Sequence, residues 1–91
     1  MALTENIEVF IRGLKHPSTE VRLKAIQTLG RSGNRRAVSP LINSLKDEDA
    51  DIRYAAAEAL GRLKGRPAVP PLARLLKDPE APVRAEAAQA L

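Results

Sequence analysis

Residues 47–77 read DEDADIRYAAAEALGRLKGRPAVPPLARLLK, and the same pattern lies on either side of them at a shift of 31 positions. Leu14, Leu45 and Leu76 fall in one column, Lys15, Lys46 and Lys77 in the next, and Arg22, Arg53 and Arg84 in a third. Ala25, Ala56 and Ala87 follow, then Leu29, Leu60 and Leu91, while Gly30 matches Gly61 and Pro40 matches Pro71. Residues 14–44 and 45–75 agree at 12 of 31 positions, and residues 45–60 and 76–91 at nine of 16, so the chain is first of all a repeat array.

Each unit divides into two helices, A and B. In A, Val21, Ala25, Ile26 and Leu29 fall on one face of a 3.6-residue period, and Ile52, Ala56, Ala57 and Leu60 repeat the pattern. Gly30 and Gly61 stand where a left-handed cap favours glycine, so A is expected to end there. In B, Val38, Leu41, Ile42 and Leu45 share a face, as do Val69, Leu72, Leu75 and Leu76. Pro40 and Pro71 fit the first turn of B, where a missing N–H leaves no helical bond unmade. Small residues at Ala55, Ala56, Ala57, Ala59, Ala87, Ala88 and Ala90 let neighbouring helices approach closely. Ile7, Phe10, Ile11 and Leu14 supply the B helix of a preceding unit, with Phe10 in the core.

Six helices are predicted, at 4–14, 19–29, 36–46, 50–60, 67–77 and 81–91, in a single domain. It comprises a half unit at 4–15, units at 16–46 and 47–77, and a half unit at 78–91. An array that opens on B and closes on A is expected to be a segment of a longer solenoid or a small protein that associates end to end, as a homodimer would, in preference to one whose last helix is capped by the polarity of Glu86 and Gln89 alone.

These residues resemble the HEAT repeat superfamily, and more closely its short phycobilisome-lyase-like variant. The matching motif is Asp47 and Arg53 with five residues between them, Ile52 before the Arg, then Ala56, Ala57, Leu60, Gly61, Arg66, Ala68, Val69, Pro71 and Leu72. The resemblance covers nearly the whole chain. It implies an all-α fold, a right-handed α-α superhelix of about six antiparallel helices, with A helices on the convex side, B helices on the concave side and an Asp–Arg ladder between units. Arg22, Arg53 and Arg84 are accordingly assigned to structure. Asp78 keeps the spacing to Arg84, whereas His16 stands at the Asp position ahead of Arg22, where the ladder is expected to lapse. Similar repeats occur in scaffolds, regulatory proteins, a few DNA-repair enzymes and bilin-attaching lyases, so the resemblance implies a fold more sharply than an activity.

Fifteen basic and eleven acidic side chains give a net charge of +4, below that of a dedicated nucleic-acid protein. There is no cysteine, and hence no disulfide framework or thiolate nucleophile. The first ten residues carry Glu5 and Glu8 and lack the order of a signal peptide, and no stretch reaches the ~20 apolar residues of a membrane span, so a cytoplasmic protein is expected. His16 is the only histidine, so a His-based metal site or relay has one imidazole to draw on, and His16 is read as a solvated turn residue. Asp47 and Asp49 sit in a short turn and are expected to cap a helix rather than serve acid–base chemistry. The glycines lack the strand and the GK[ST] of a phosphate loop. No enzyme activity, cofactor or metal is expected.

Charge is distributed unevenly. The A-to-B loops carry Arg31, Arg35, Arg36, Arg62, Lys64 and Arg66 without an acid, while the B-to-A turns carry Glu20, Asp47, Glu48, Asp49, Asp51, Asp78 and Glu80. Opposition to helix dipoles accounts for the acidic rim and for Arg31 and Arg62, but not for Arg35, Arg36 and Arg66 at the start of B helices. The basic rim is therefore read either as helix electrostatics or as an anion-facing edge. On the concave side the register aligns Arg12, Asn43 and Arg74, and Tyr54 is the one aromatic expected to face outward. Stacking of single-stranded bases is not expected from so few aromatics. The function expected is a protein–protein interaction module or scaffold with its partner on the concave surface. The alternatives are nucleic-acid or phosphate-backbone binding through the basic rim and an accessory role in a bilin lyase.

Overall fold

The computed structural model describes residues 7–91. Its helices are α1 (Ile7–Gly13), α2 (Thr19–Ser32), α3 (Val38–Ser44), α4 (Ala50–Leu63), α5 (Val69–Arg74) and α6 (Ala81–Ala90), and no strand occurs among the described residues. Single 3₁₀ turns at Arg35–Ala37 and Arg66–Ala68 lead into α3 and α5, and a third at Leu75–Lys77 follows α5. Residues 4–6, the predicted start of the first helix, lie outside the described residues.

Local chemistry sets the helix starts. Ser18 Oγ accepts from the Val21 N–H (3.4 Å) and Asp49 Oδ1 from the Asp51 N–H (2.8 Å), so both cap A helices at about 1 kcal/mol each. Asn34 Oδ1 accepts from the Arg36 N–H (2.9 Å) and starts the 3₁₀ turn before α3. Pro40, Pro70, Pro71 and Pro82 all fall in first turns, where no intrahelical bond is forfeited.

The long helices α2, α4 and α6 lie side by side in one layer, and the short helices α1, α3 and α5 each rest on the following long helix in a second. The result is a slab of 39 × 27 × 15 Å. Between the layers Ile26, Leu29, Leu41, Ile52, Leu60, Leu72 and Val83 are fully buried, each contributing about 1.5–3 kcal/mol. Ala25, Ala56, Ala57 and Ala87 fill the narrower spaces among them.

Several expectations need correction. Gly30 and Gly61 do not end the A helices, which run on to Ser32 and Leu63. The left-handed residues are Gly33 (φ 68°) and Lys64 (φ 53°). Gly30 is a contact glycine instead: a Cβ there would lie 2.9 Å from Ala59 Cβ and 3.1 Å from Ala59 Cα, and one at Gly61 would lie 3.1 Å from Ala90 Cβ. Glycine inside a helix costs roughly 0.5–1 kcal/mol relative to alanine, and here that cost accompanies a closer approach of backbones.

The apolar columns are also not uniformly buried. Val21 is 40% exposed while its counterparts Ile52 and Val83 are buried, and Phe10 is half-buried rather than in the core. Val69 is 49% exposed and Leu76 42%, although Val38 and Leu45 of the same columns are buried. Val38 is covered by the following A-to-B loop, where a Cβ on Gly65 would come within 2.7 Å of Val38 Cγ1; no described element lies so over Val69.

Two substitutions check this account. Gly30→Val forces atoms into the Ala59 backbone and is expected to lower unfolding free energy by about 2 kcal/mol in urea melts, since overpacking costs ~1–3 kcal/mol. Lys64→Gly relieves the only left-handed non-glycine among the described residues and is expected to raise stability by about 1 kcal/mol in the same assay.

Candidate interaction surface

The three arginines of the repeat share one job, and Arg22 and Arg53 have a second. Each Nη1 donates back to two carbonyls of its own turn: Arg22 to His16 (2.8 Å) and Pro17 (3.0 Å), Arg53 to Asp47 (2.8 Å) and Glu48 (3.1 Å), and Arg84 to Asp78 (2.8 Å) and Pro79 (3.2 Å). The remaining edge reaches forward to the next unit. Arg53 donates through Nε and Nη2 to the two oxygens of Asp78 (2.8 and 3.1 Å), a bidentate pair. Arg22 Nε lies 3.1 Å from Asp47 Oδ2, an ion-pair distance without good hydrogen-bond alignment.

The ladder therefore does not lapse at Arg22, because its carboxylate comes from the turn ahead and not from position 16. His16 meets the other requirement of that column, since its Nδ1 accepts from the Ser18 N–H (2.9 Å) just as Asp47 accepts from Asp49 (2.9 Å) and Asp78 from Glu80 (3.0 Å). It is exposed, as a turn residue should be.

With the turn acids Asp47 and Asp78 so engaged, candidate binding residues divide among three places. Arg12, Asn43 and Arg74 are exposed at equivalent positions of α1, α3 and α5, one column across the layer of short helices. Arg31, Arg35, Arg36, Arg62, Lys64 and Arg66 are exposed along the loop edge, but Arg36 pairs with Glu8 and Arg62 lies 3.8 Å from Glu58. Tyr54 belongs to the opposite layer, on α4, where the negative charge of Glu86 beside it pushes the phenol above its usual pKa.

Between α1 and α3 a groove of about 300 Å³ opens on the short-helix layer, lined by Ile11, Leu14, Lys15, Ser39, Pro40, Asn43, Ser44 and Asp47. Column reasoning identified Asn43 beside it but not the groove. The signal available was Ser44, a polar residue in a column that carries Leu75 one unit later. Among the described residues no group of three or more His, Cys, Asp or Glu side chains is placed to hold a metal, and no helix is long and apolar enough to cross a membrane.

A family model described as HEAT repeats matches residues 7–91. The chain belongs to the HEAT-repeat family. A solved chain in the complex of CpcE and CpcF of phycocyanin lyase from Nostoc sp. PCC7120 is 35% identical and superposes with a TM-score of 0.87 over 92% of this chain. That match covers 35% of the Nostoc chain, so the protein spans about a third of its length. No curated protein matches. Family membership and this likeness agree with the phycobilisome-lyase-like motif around Asp47 and Arg53, and with a helical solenoid as its setting.

In these HEAT repeats the ladder also carries a pH dependence. Burial pushes the Asp78 carboxyl up, but the hydrogen bond from Arg53, the Glu80 N–H and the charges of Arg53 and Arg84 outweigh it and hold the group below its usual pKa. The same hydrogen bond raises Arg53. Unfolded Asp titrates near ~3.9, so the pair's contribution is complete above that value and is lost as pH falls through the lower folded value. Asp78→Asn is expected to be less stable than the wild type at pH 7 by about 2 kcal/mol, and the gap is expected to narrow as pH falls through the lowered folded value. Urea melts at pH 7, 4 and 2.5 measure the gap; a constant gap across that range contradicts the assignment.

Proposed function

We propose that the protein is a non-catalytic interaction module that holds a protein partner on the layer of short helices, α1, α3 and α5. The observation that carries this reading is the exposed column Arg12, Asn43 and Arg74 beside an open groove, on a frame whose paired arginines and turn carboxylates are committed to structure. Extended surfaces of stacked repeats are suited to such contacts, because each unit adds a further set of side chains along one direction. The long-helix layer offers less: its units meet through alanine and glycine, and its outward residues include the Tyr54–Glu86 neighbourhood alone among aromatics.

A second reading, an accessory role in a lyase assembly, is favoured by the likeness to the phycocyanin lyase complex. It makes the partner another lyase subunit and predicts a change in the visible absorption of a free bilin on mixing with the protein and that subunit. The basic loop edge supports phosphate-backbone binding less well, since Glu8 and Glu58 already face two of its six cations.

The test is affinity capture with the wild type, with Arg12→Glu/Arg74→Glu, and with Lys24→Glu on α2 as a control for charge alone. Specific partners are expected to fall by about tenfold or more with the double variant and to persist with the control. Equal losses in both variants, or none in either, contradict the surface. Duplex DNA at ~50 mM salt is expected not to bind; tight, steeply salt-dependent binding abolished by Arg35→Glu/Arg66→Glu moves the site to the loop edge.

A further inference from the structure

Ser44 is out of place in a HEAT core. It is 7% exposed, yet its column holds Leu75 one unit later, and no hydrogen bond among the described residues takes up its Oγ. Arg22 Nε is the one sealed side-chain polar atom without a partner among the described residues, so the Ser44 Oγ is not stranded in the core but opens on the groove, and a leucine at this site has a precedent in the same fold. The residue lines the groove between α1 and α3.

The groove has a consistent chemistry around that hydroxyl. Ile11, Leu14 and Pro40 give it apolar walls, while Lys15 and Asn43 are exposed at its rim. Asp47 also borders it, but its Oδ1 accepts from the Asp49 N–H and its Oδ2 faces Arg22 at 3.1 Å. Its charge is therefore already compensated. Along the same layer Arg12, Lys46, Arg74 and Lys77 are exposed; of the acids beside them Glu8 is paired with Arg36 and Asp78 with Arg53, while Glu48 is exposed. Exposed cations, Arg12, Lys15 and Lys46, outnumber exposed acids where the groove opens.

We propose that this groove seats a glutamate of an extended acidic segment of a partner protein. The methylene stem lies against Ile11, Leu14 and Pro40, and the carboxylate accepts from Ser44 Oγ, the Asn43 amide and the Lys15 ammonium. The donors match a carboxylate that has three charge-assisted or neutral hydrogen bonds to receive. Flanking acidic residues of the segment run along Arg12 and Lys46. The inference rests on the reading of the short-helix layer as the binding face and narrows it to one seat and one ligand chemistry.

The probe is a labelled ten-residue polyglutamate peptide, titrated in ~50 mM salt and followed by fluorescence anisotropy and by backbone amide shifts of the full chain. Binding is expected, with the largest shifts at Lys15, Asn43 and Ser44. Ser44→Leu, which fills the groove with the residue found at position 75, is expected to abolish binding while urea melts show a protein at least as stable. Lys15→Glu is expected to weaken binding about tenfold, and Ser44→Ala about threefold. No binding, binding unchanged by Ser44→Leu, or shifts confined to Arg31, Arg35 and Arg66 overturns the proposal. If Ser44→Leu leaves a natural partner's affinity intact while Arg12→Glu/Arg74→Glu removes it, the face stands and the seat does not.

Discussion

The approach of α2, α4 and α6 through glycine and alanine is the constraint on which the remaining structure depends. Gly30 meets Ala59 and Gly61 meets Ala90; a Cβ would clash at the first and be tight at the second. That contact sets how far one unit is displaced from the next, and so where every other column falls. Larger residues at the seam would separate the long helices and pull Ile52 and Leu60 away from Ile26 and Leu29 in the core. A chain of this size has only about 5–14 kcal/mol of net stability, so one seam lost is a large fraction of the total. In an array each seam also supports its neighbour, because units meet only those next to them.

The arginine ladder is a second fastening that follows from the first. Once the long helices are this close, the turn of one unit lies within reach of the arginine of the unit before it. Arg53 can then hold its own turn with Nη1 and the next turn's carboxylate with Nε and Nη2. The local half of this arrangement needs only backbone carbonyls, so it is indifferent to whether position 16 carries a carboxylate or an imidazole. The forward half needs Asp47 or Asp78, and both are present. This division explains why a histidine is tolerated at the start of one repeat without loosening the arginine that follows it.

The fold was legible in the sequence to the extent that periodicity reports it. The six helices follow from apolar spacing and from a register repeated almost three times, and α4 begins at Ala50 as expected. The helix ends were less legible, because a glycine that caps a helix and one that lets a neighbour approach are the same letter. Gly30 and Gly61 are of the second kind, and the capping role passes to Gly33 and, at some strain, to Lys64. The pairing of Arg22 was hidden for another reason. A motif read within one unit sees His16 six residues earlier, while the actual partner, Asp47, lies 25 residues ahead and is brought close only by stacking. Of the candidate site, the exposed column Arg12, Asn43 and Arg74 could be placed from the register, but the groove could not. It lies between side chains of two different helices, Ile11, Leu14 and Lys15 on one side and Ser39, Pro40, Asn43 and Ser44 on the other, which no register within one unit brings together.

Repetition and departure from it carry different information in such a chain. The positions identical in every copy, such as Arg22, Arg53 and Arg84 or Ala25, Ala56 and Ala87, are mostly those that the frame consumes, in the arginine-held turns or in the core. Lys15, Lys46 and Lys77 are identical too, and their place after the short helices suits the negative end of each helix dipole. Where the copies differ without affecting a seam or a ladder, the frame makes no demand, and the local environment decides what the difference means. At Val21, against Ile52 and Val83, the difference is only one of cover. At position 44 it is chemical: a hydroxyl replaces a hydrocarbon in a buried place, beside an opening that a hydrocarbon would close. The frame is not strengthened by that exchange, so its effect is on the groove, which stays open and acquires a donor at its floor.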